Sequence, residues 1–179
     1  LEVGIGTSPA DRAAHYAVYA RSVHHLGTPV FPRRLFAAML EELDADILTV
    51  RHRGEPVASV LSFYHDSAVL PYWGGGTPAA RALRANDRMY FALMGHARQR
   101  GCTRFDFGRS KLGSGPWLYK RTWGIAPQPL VYTSWSAPGA PVRDADPASP
   151  RHAARIAMWR RLPPALADRI GPAIARGLG

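Results

Sequence analysis

The sequence predicts an α/β (α+β) protein: a mixed, mostly antiparallel sheet with helices on both faces. Three observations carry that expectation. Two amphipathic stretches lead the chain, three apolar runs then follow one another across short turns, and a helical stretch precedes one more short apolar run. Connections as short as those between the three runs permit only antiparallel pairing. A strand reached through a helix instead pairs in parallel after a crossover.

Each element has a local cause. Ser8-Pro9-Ala10-Asp11 reads as an N-cap, a first-turn proline and an acidic first turn. Tyr16, Tyr19, Val23 and Leu26 then recur at helical spacing until Gly27-Thr28-Pro29 stops the helix. A second helix is expected from about Pro32 to Leu43, with Leu35, Phe36, Met39, Leu40 and Leu43 on one face. Strands follow at 46–53, 57–64 and 68–73, separated by Arg53-Gly54-Glu55-Pro56 and His65-Asp66-Ser67. Trp73 to Pro78 reads as a loop. Asn86-Asp87 is expected to cap a helix that runs to about Arg100 and closes at Gly101. Thr103 to Phe107 is a short strand, Pro116 to Trp123 a short helix, and Pro129 to Trp135 a last strand. The organisation expected is a catalytic-type domain over 1–135, a Pro/Ala/Asp-rich linker over 136–150 and a basic helical tail over 151–179.

Composition narrows the chemistry. At 46% hydrophobic and 20% charged, the chain suits one globular domain, and it contains no apolar run long enough to span a bilayer. Cys102 is the only cysteine, which excludes an intrachain disulfide and a cysteine-pair metal site; no Cys/His/Asp/Glu constellation points to a metal. The net charge of +10 favours an anionic partner, whether a phosphate-bearing cofactor, a nucleic acid or a lipid headgroup. A merely basic surface is the plainer reading. The tail carries six arginines and one acid. Of 23 basic residues only Lys111 and Lys120 are lysine, and they lie within ten positions of each other, which draws attention to that stretch. The chain begins at Leu1, not Met, so either a fragment or a trimmed chain is expected, and a preceding signal stays open. The expected location is the cytoplasm, with a peripheral place at the inner membrane open to the tail.

Three segments carry candidate chemistry. In Phe105-Asp106-Phe107-Gly108-Arg109-Ser110, strand alternation sends Asp106 to the face opposite the phenylalanines, and Arg109 and Ser110 fall beyond the carboxyl end of a parallel strand, where α/β sheets bind ligands. The bland alternative is a strand-end turn in which Asp106 accepts backbone hydrogen bonds. In Trp117 to Gly124, Trp117, Lys120 and Gly124 share a helix face, so the ammonium could meet a phosphate or a developing oxyanion; otherwise Lys120 simply snorkels. The third is Gly74-Gly75-Gly76 with Arg81, Arg84 and Asn86-Asp87, a glycine-rich approach to a helix N-terminus that suits an anion or is only a loop. Tyr72, Trp73 and Tyr90 flank it as candidate lining. Between Arg81 and Arg121 stand ten basic and two acidic residues, a field suited to a polyanionic donor. His24 and His25 read as helix-end residues outside the chemistry.

Taken together, Phe105-Asp106-Phe107-Gly108-Arg109-Ser110-Lys111, Tyr119-Lys120, Trp123-Gly124 and Pro129-Leu130-Val131-Tyr132 resemble the FemAB-like family of the GNAT superfamily, and within it the BioF2-like branch associated with PEP-CTERM and exosortase systems. Leu26 to Phe31, Trp159 to Pro163 and the final glycine-rich residues are similar to the same branch. The resemblance implies a GNAT acyltransferase fold, with this chain as the C-terminal half of a tandem pair whose partner is an N-terminal GNAT domain. It implies transfer of an acyl or aminoacyl group to an amine or hydroxyl in cell-envelope, peptidoglycan or exopolysaccharide synthesis, with acyl-CoA or aminoacyl-tRNA as donor. By the same resemblance Lys120 lies at the active site and Arg109 and Ser110 line the same cleft. The residues themselves add Asp106 or Tyr119 as candidates to manage the proton, and Lys111, Tyr72, Trp73, Gly74, Gly75, Asn86, Tyr90 and Trp117 as further candidates to bind substrate. One departure stands out: Arg81-Ala82-Leu83-Arg84-Ala85-Asn86 replaces the family's Gly-rich pyrophosphate loop. Two further readings stay open: a non-catalytic half that completes a cleft, and a tail that docks on anionic membrane.

Overall fold

A computed structural model describes residues 1–133, 135–140 and 153–176. The elements are β1 (Glu2–Gly6), α1 (Pro9–Leu26), α2 (Arg33–Glu42), β2 (Ala45–His52), β3 (Glu55–His65), β4 (Ala68–Gly76), α3 (Pro78–Ala82), α4 (Ala85–Gln99), β5 (Arg104–Phe105), α5 (Gly115–Arg121), α6 (Ala153–Arg161) and α7 (Pro164–Ala175). The chain divides into two compact units, one of residues 1–108 with 155–179 and one of residues 109–154.

In the first unit the sheet order is β1-β2-β3-β4-β5. The first three pairings are antiparallel and the last is parallel, as the connection lengths require. Strand alternation sorts the side chains into two cores. Leu48, Val50, Val60 and Val69 meet Met89, Leu93 and Ala97 of α4. Ile47 and Leu61 point the other way, to Tyr16, Tyr19 and Val23 of α1 and Phe36 and Leu40 of α2. β2 and β3 are thus buried on both faces.

α1 starts at a complete capping box: the Ser8 hydroxyl accepts from the Asp11 N–H, and the Asp11 carboxylate accepts from the Ser8 N–H. It ends at Gly27, whose φ of 85° is a left-handed cap. A side chain there would also strike Ile156 of α6. α7 lies equally close, since a Cβ on Gly171 would come within 3.2 Å of the Val30 nitrogen. The described part of the tail is therefore packed on the domain, and Trp159 is buried in that contact.

Several details depart from the sequence expectation. The chain opens with a strand, β1, before its first helix; two glycines in five residues mask the alternation of Val3 and Ile5, and the strand exists through its ladder with β2. The Gly74–Gly76 segment belongs to β4, and α3 follows where a loop was expected. α4 begins at Ala85 after Arg84 in a left-handed conformation, which places Asn86 and Asp87 in its first turn. The described residues of 129–135 form no strand; Val131 is 92% exposed, and prolines at 127 and 129 remove two ladder donors. Residues 141–150 of the expected linker, and 151–152 and 177–179 of the expected tail, lie outside the described residues.

Candidate functional site

In the first unit the site begins where β4 and β5 part. Their parallel pairing covers only Ala68↔Arg104 and Val69↔Phe105, followed by a bond from the Asp106 N–H to the Val69 carbonyl at 2.9 Å. β4 then runs on to Gly76 without a partner strand on that side among the described residues. The reason β5 stops is local. The Asp106 Oδ1 accepts from the Gly108 N–H at 2.7 Å, and Gly108 takes φ 65°, so the chain turns away just past the strand. The bland reading of Asp106 therefore describes what this carboxylate oxygen does. Phe105 and Phe107 anchor the turn: Phe107 stacks on Tyr90 of α4 with centroids 5.5 Å apart, and burial raises the Tyr90 pKa.

The β4 margin of this opening is aromatic on one face. Tyr72, 62% exposed, touches Trp73 and Phe63, and Trp73 in turn touches Phe31 and Phe36. The glycines are explained by close approach. A Cβ on Gly75 would lie 2.5 Å from the Ser22 Cβ of α1, and one on Gly76 would lie 2.9 Å from the Asn86 Oδ1. Beyond them, Thr77 Oγ1 and Asn86 Oδ1 are buried without a hydrogen-bond partner among the described residues. No side chain caps the start of α4, and Arg81, Arg84 and Arg88 surround it in sequence. Helix-end N–H groups, arginines and the Thr77 hydroxyl can donate to an anionic group, whereas Asn86 Oδ1 is an acceptor.

The second unit gathers the other expected residues. α5 is capped by Ser114, whose hydroxyl accepts from the Trp117 N–H. Lys120 Nζ donates to the Arg109 carbonyl at 3.2 Å, and Arg109 Nη1 donates to the Tyr132 hydroxyl at 3.2 Å. Tyr119 meets Trp123, and Arg121 lies 4.9 Å over the Trp117 ring. Ser110 Oγ is buried with no hydrogen-bond partner among the described residues, and Lys111 is exposed. Arg109, Ser110, Lys111, Trp117, Tyr119 and Lys120 are thus one cluster, while Asp106, Tyr72, Trp73, Gly74, Gly75, Asn86 and Tyr90 belong to the first unit.

A model of the acetyltransferase (GNAT) domain family matches residues 1–121. The chain belongs to the GNAT acetyltransferase family. The match runs from β1 through the end of α5, so it spans the parting of β4 and β5 and the Lys120 cluster. No curated protein sequence matches this GNAT domain. Among solved structures it is similar to a ribosomal-protein-alanine N-acetyltransferase from Brucella melitensis biovar Abortus 2308, at 12% identity and a TM-score of 0.58 over 76% of this chain and 100% of that one. It is also similar to an aminoglycoside 6'-N-acetyltransferase from Acinetobacter haemolyticus, at 16% identity and a TM-score of 0.57 over 76% and 99%. A third is AAC(6')-Iy in complex with a CoA-based bisubstrate analogue, at 10% identity and a TM-score of 0.58 over 76% and 100%. These likenesses establish the fold. Among the described residues the GNAT domain has no cluster of three or more His, Cys, Asp or Glu side chains suited to a metal, and no helix long and apolar enough to cross a membrane.

Sequence reasoning missed one buried polar network. His15 of α1, 1% exposed, places Nδ1 3.0 Å from the Ser59 hydroxyl, which also lies 3.0 Å from Thr49 Oγ1 and donates to the Leu48 carbonyl. The Ser59 hydrogen is spent on Leu48, so the network assigns the imidazole proton to Nδ1. Burial lowers the His15 pKa to about 4. Its spacing with Tyr16 and Tyr19 was the available signal, and it marked a core face as much as a site.

Proposed function

We propose that this GNAT domain transfers an acyl group from acyl-CoA to an amine or hydroxyl of a cell-envelope or exopolysaccharide precursor. The observation that carries the reading is the short pairing of β4 with β5, which leaves the edge of β4 from Leu70 onward available to an extended donor arm. The start of α4, with Asn86 and Thr77, is the place for the donor's phosphates. It offers side chains and helix N–H groups in place of the Gly-rich loop the sequence lacks. Tyr72 and Trp73 form an apolar wall suited to a ring-bearing acceptor.

The reaction is attack of the acceptor's lone pair on the thioester carbonyl, collapse of the tetrahedral intermediate and departure of the CoA thiolate. The protein mainly positions the reactants and stabilises the oxyanion. In the second unit Lys120 is the proposed oxyanion donor and Tyr119 a proton carrier; in the first, Asp106 is the alternative carrier. Lys120→Ala tests this directly. We expect a folded variant whose rate of CoA release falls by about 10²-fold. Unchanged turnover by a folded Lys120→Ala variant removes the lysine from the mechanism. Aminoacyl-tRNA is the competing donor, and a thermal-shift comparison of acetyl-CoA with charged tRNA separates them.

A second reading follows from the engagement of Asp106 with Gly108 and of Lys120 with Arg109: this half completes a cleft for an N-terminal GNAT domain of the same protein, in keeping with the FemAB-like, PEP-CTERM-associated resemblance. Ligand binding by a longer protein but not by this chain would favour it. The basic residues of 151–179 remain a proposed contact with anionic membrane, consistent with a cytoplasmic protein at the inner membrane.

A further inference from the structure

The helices α6 and α7 lie beyond the residues matched by the family model, yet they pack on α1 and border an open cavity of about 340 Å³ at its C-terminal end. Arg21, His24 and His25 come from α1, Pro78 from the start of α3, and Arg160 and Pro164 from the junction of α6 and α7. No carboxylate lines it. Among the described residues neither Arg21 nor Arg160 pairs with a carboxylate.

Part of this charge has an ordinary purpose. Arg160 Nη2 donates to the Leu26 carbonyl at 3.1 Å, and the His24 Nε2–H donates to the Trp159 carbonyl at 3.1 Å. Both bonds tie α1 to α6, and a cation at a helix C-terminus favours its dipole. Arg21 and His25 make no such bond among the described residues. The two guanidiniums of Arg21 and Arg160 repel one another across one cavity, and an anion between them relieves that repulsion. The volume exceeds that of about ten water molecules at roughly 30 Å³ each, which accommodates a phosphate or pyrophosphate group with its hydration.

We infer that this cavity, formed by the end of α1 and the junction of α6 and α7, is a binding site for a phosphate or pyrophosphate group, distinct from the donor site proposed at the start of α4. It stands apart from the acyl-transfer reading, because none of its residues takes part in that chemistry. Arginine forks grip phosphate oxygens bidentately, and Arg21 is the side chain placed to do so without giving up a structural bond. The phosphate could belong to a soluble ester or to a lipid headgroup.

The test titrates inorganic pyrophosphate into the full chain at fixed ionic strength, following the ring signals of His24 and His25 by NMR and affinity by calorimetry. We expect saturable shifts of both rings and a loss of affinity of about tenfold or more in Arg21→Ala, in line with one charge-assisted contact. Arg98→Ala, which removes the same charge from the last turn of α4, should bind as the parent does. Equal weakening in the two variants would reduce the effect to net charge and overturn the site, as would the absence of saturable ring shifts in the parent. Arg160→Lys keeps the charge while altering the bond to Leu26, and should lose less affinity than Arg160→Ala. In the second arm the chain is sedimented with vesicles of phosphatidylcholine with and without phosphatidic acid. Arg21-dependent binding to the acidic vesicles assigns the site to a lipid headgroup. Pyrophosphate binding without vesicle binding assigns it to a soluble ester.

Discussion

Acidification should weaken the fold through His15 in a way that one substitution can isolate. The imidazole is buried against Tyr19 and Phe36, and its Nε2 has no hydrogen-bond partner among the described residues. Protonation would place an N–H and a charge on that atom with nothing to accept them, which is why burial lowers its pKa from 6.5 to about 4. Between those values the unfolded chain holds the proton and the native chain does not. Stability from the neutral ring is therefore complete above pH 6.5 and is lost as pH falls toward 4. At about 1.4 kcal/mol per pKa unit, the full loss is about 3 kcal/mol, a large share of the 5–15 kcal/mol typical of a domain. Urea unfolding of the parent and of His15→Gln at pH 7.5, 6.5, 5.5 and 4.5 reads it out. The glutamine variant is less stable at neutral pH because it loses the ring contacts, but the gap should close as the pH drops. A gap that stays constant across the series would refute the argument, as would a His15 ring that titrates near pH 6.5 by NMR.

Other perturbations follow from packing and charge. Leu93→Ala empties a fully buried position between α4 and the sheet and should cost about 2–5 kcal/mol by equilibrium unfolding. Asp46, 7% exposed, accepts from the Tyr64 hydroxyl at 2.8 Å and pairs with His96 at 2.7 Å and Arg100 at 3.2 Å; Asp46→Ala should cost about 3–5 kcal/mol, because it strands those partners. Gly27→Ala forces a side chain into a left-handed cap and against Ile156. It should cost about 1–3 kcal/mol and raise proteolytic cleavage between α1 and α6.

The sequence alone determined the elements whose causes are local. The capping box at Ser8, the glycine stop at Gly27, the helical spacing of α1, α2 and α4, and the short turns that force an antiparallel meander are all read from neighbours within four residues. It also drew attention to the stretch from Phe105 to Gly124, because a glycine just past a parallel strand and a helix bearing one of only two lysines can be recognised without coordinates. What depends on distant partners was decided only in the tertiary structure. β1 is a strand because β2 offers it a ladder, and Gly74 to Gly76 are strand residues because α1 and Asn86 come too close for side chains. His15 is a buried neutral base because the sheet and helices close over it, with Ser59, 44 residues away, accepting a hydrogen bond from its Nδ1–H. The basic cavity is a meeting of α1 with helices more than a hundred residues later. Hydrophobic spacing names a buried face, but the neighbour that covers it, and so the room left for a ligand, is a property of the folded chain.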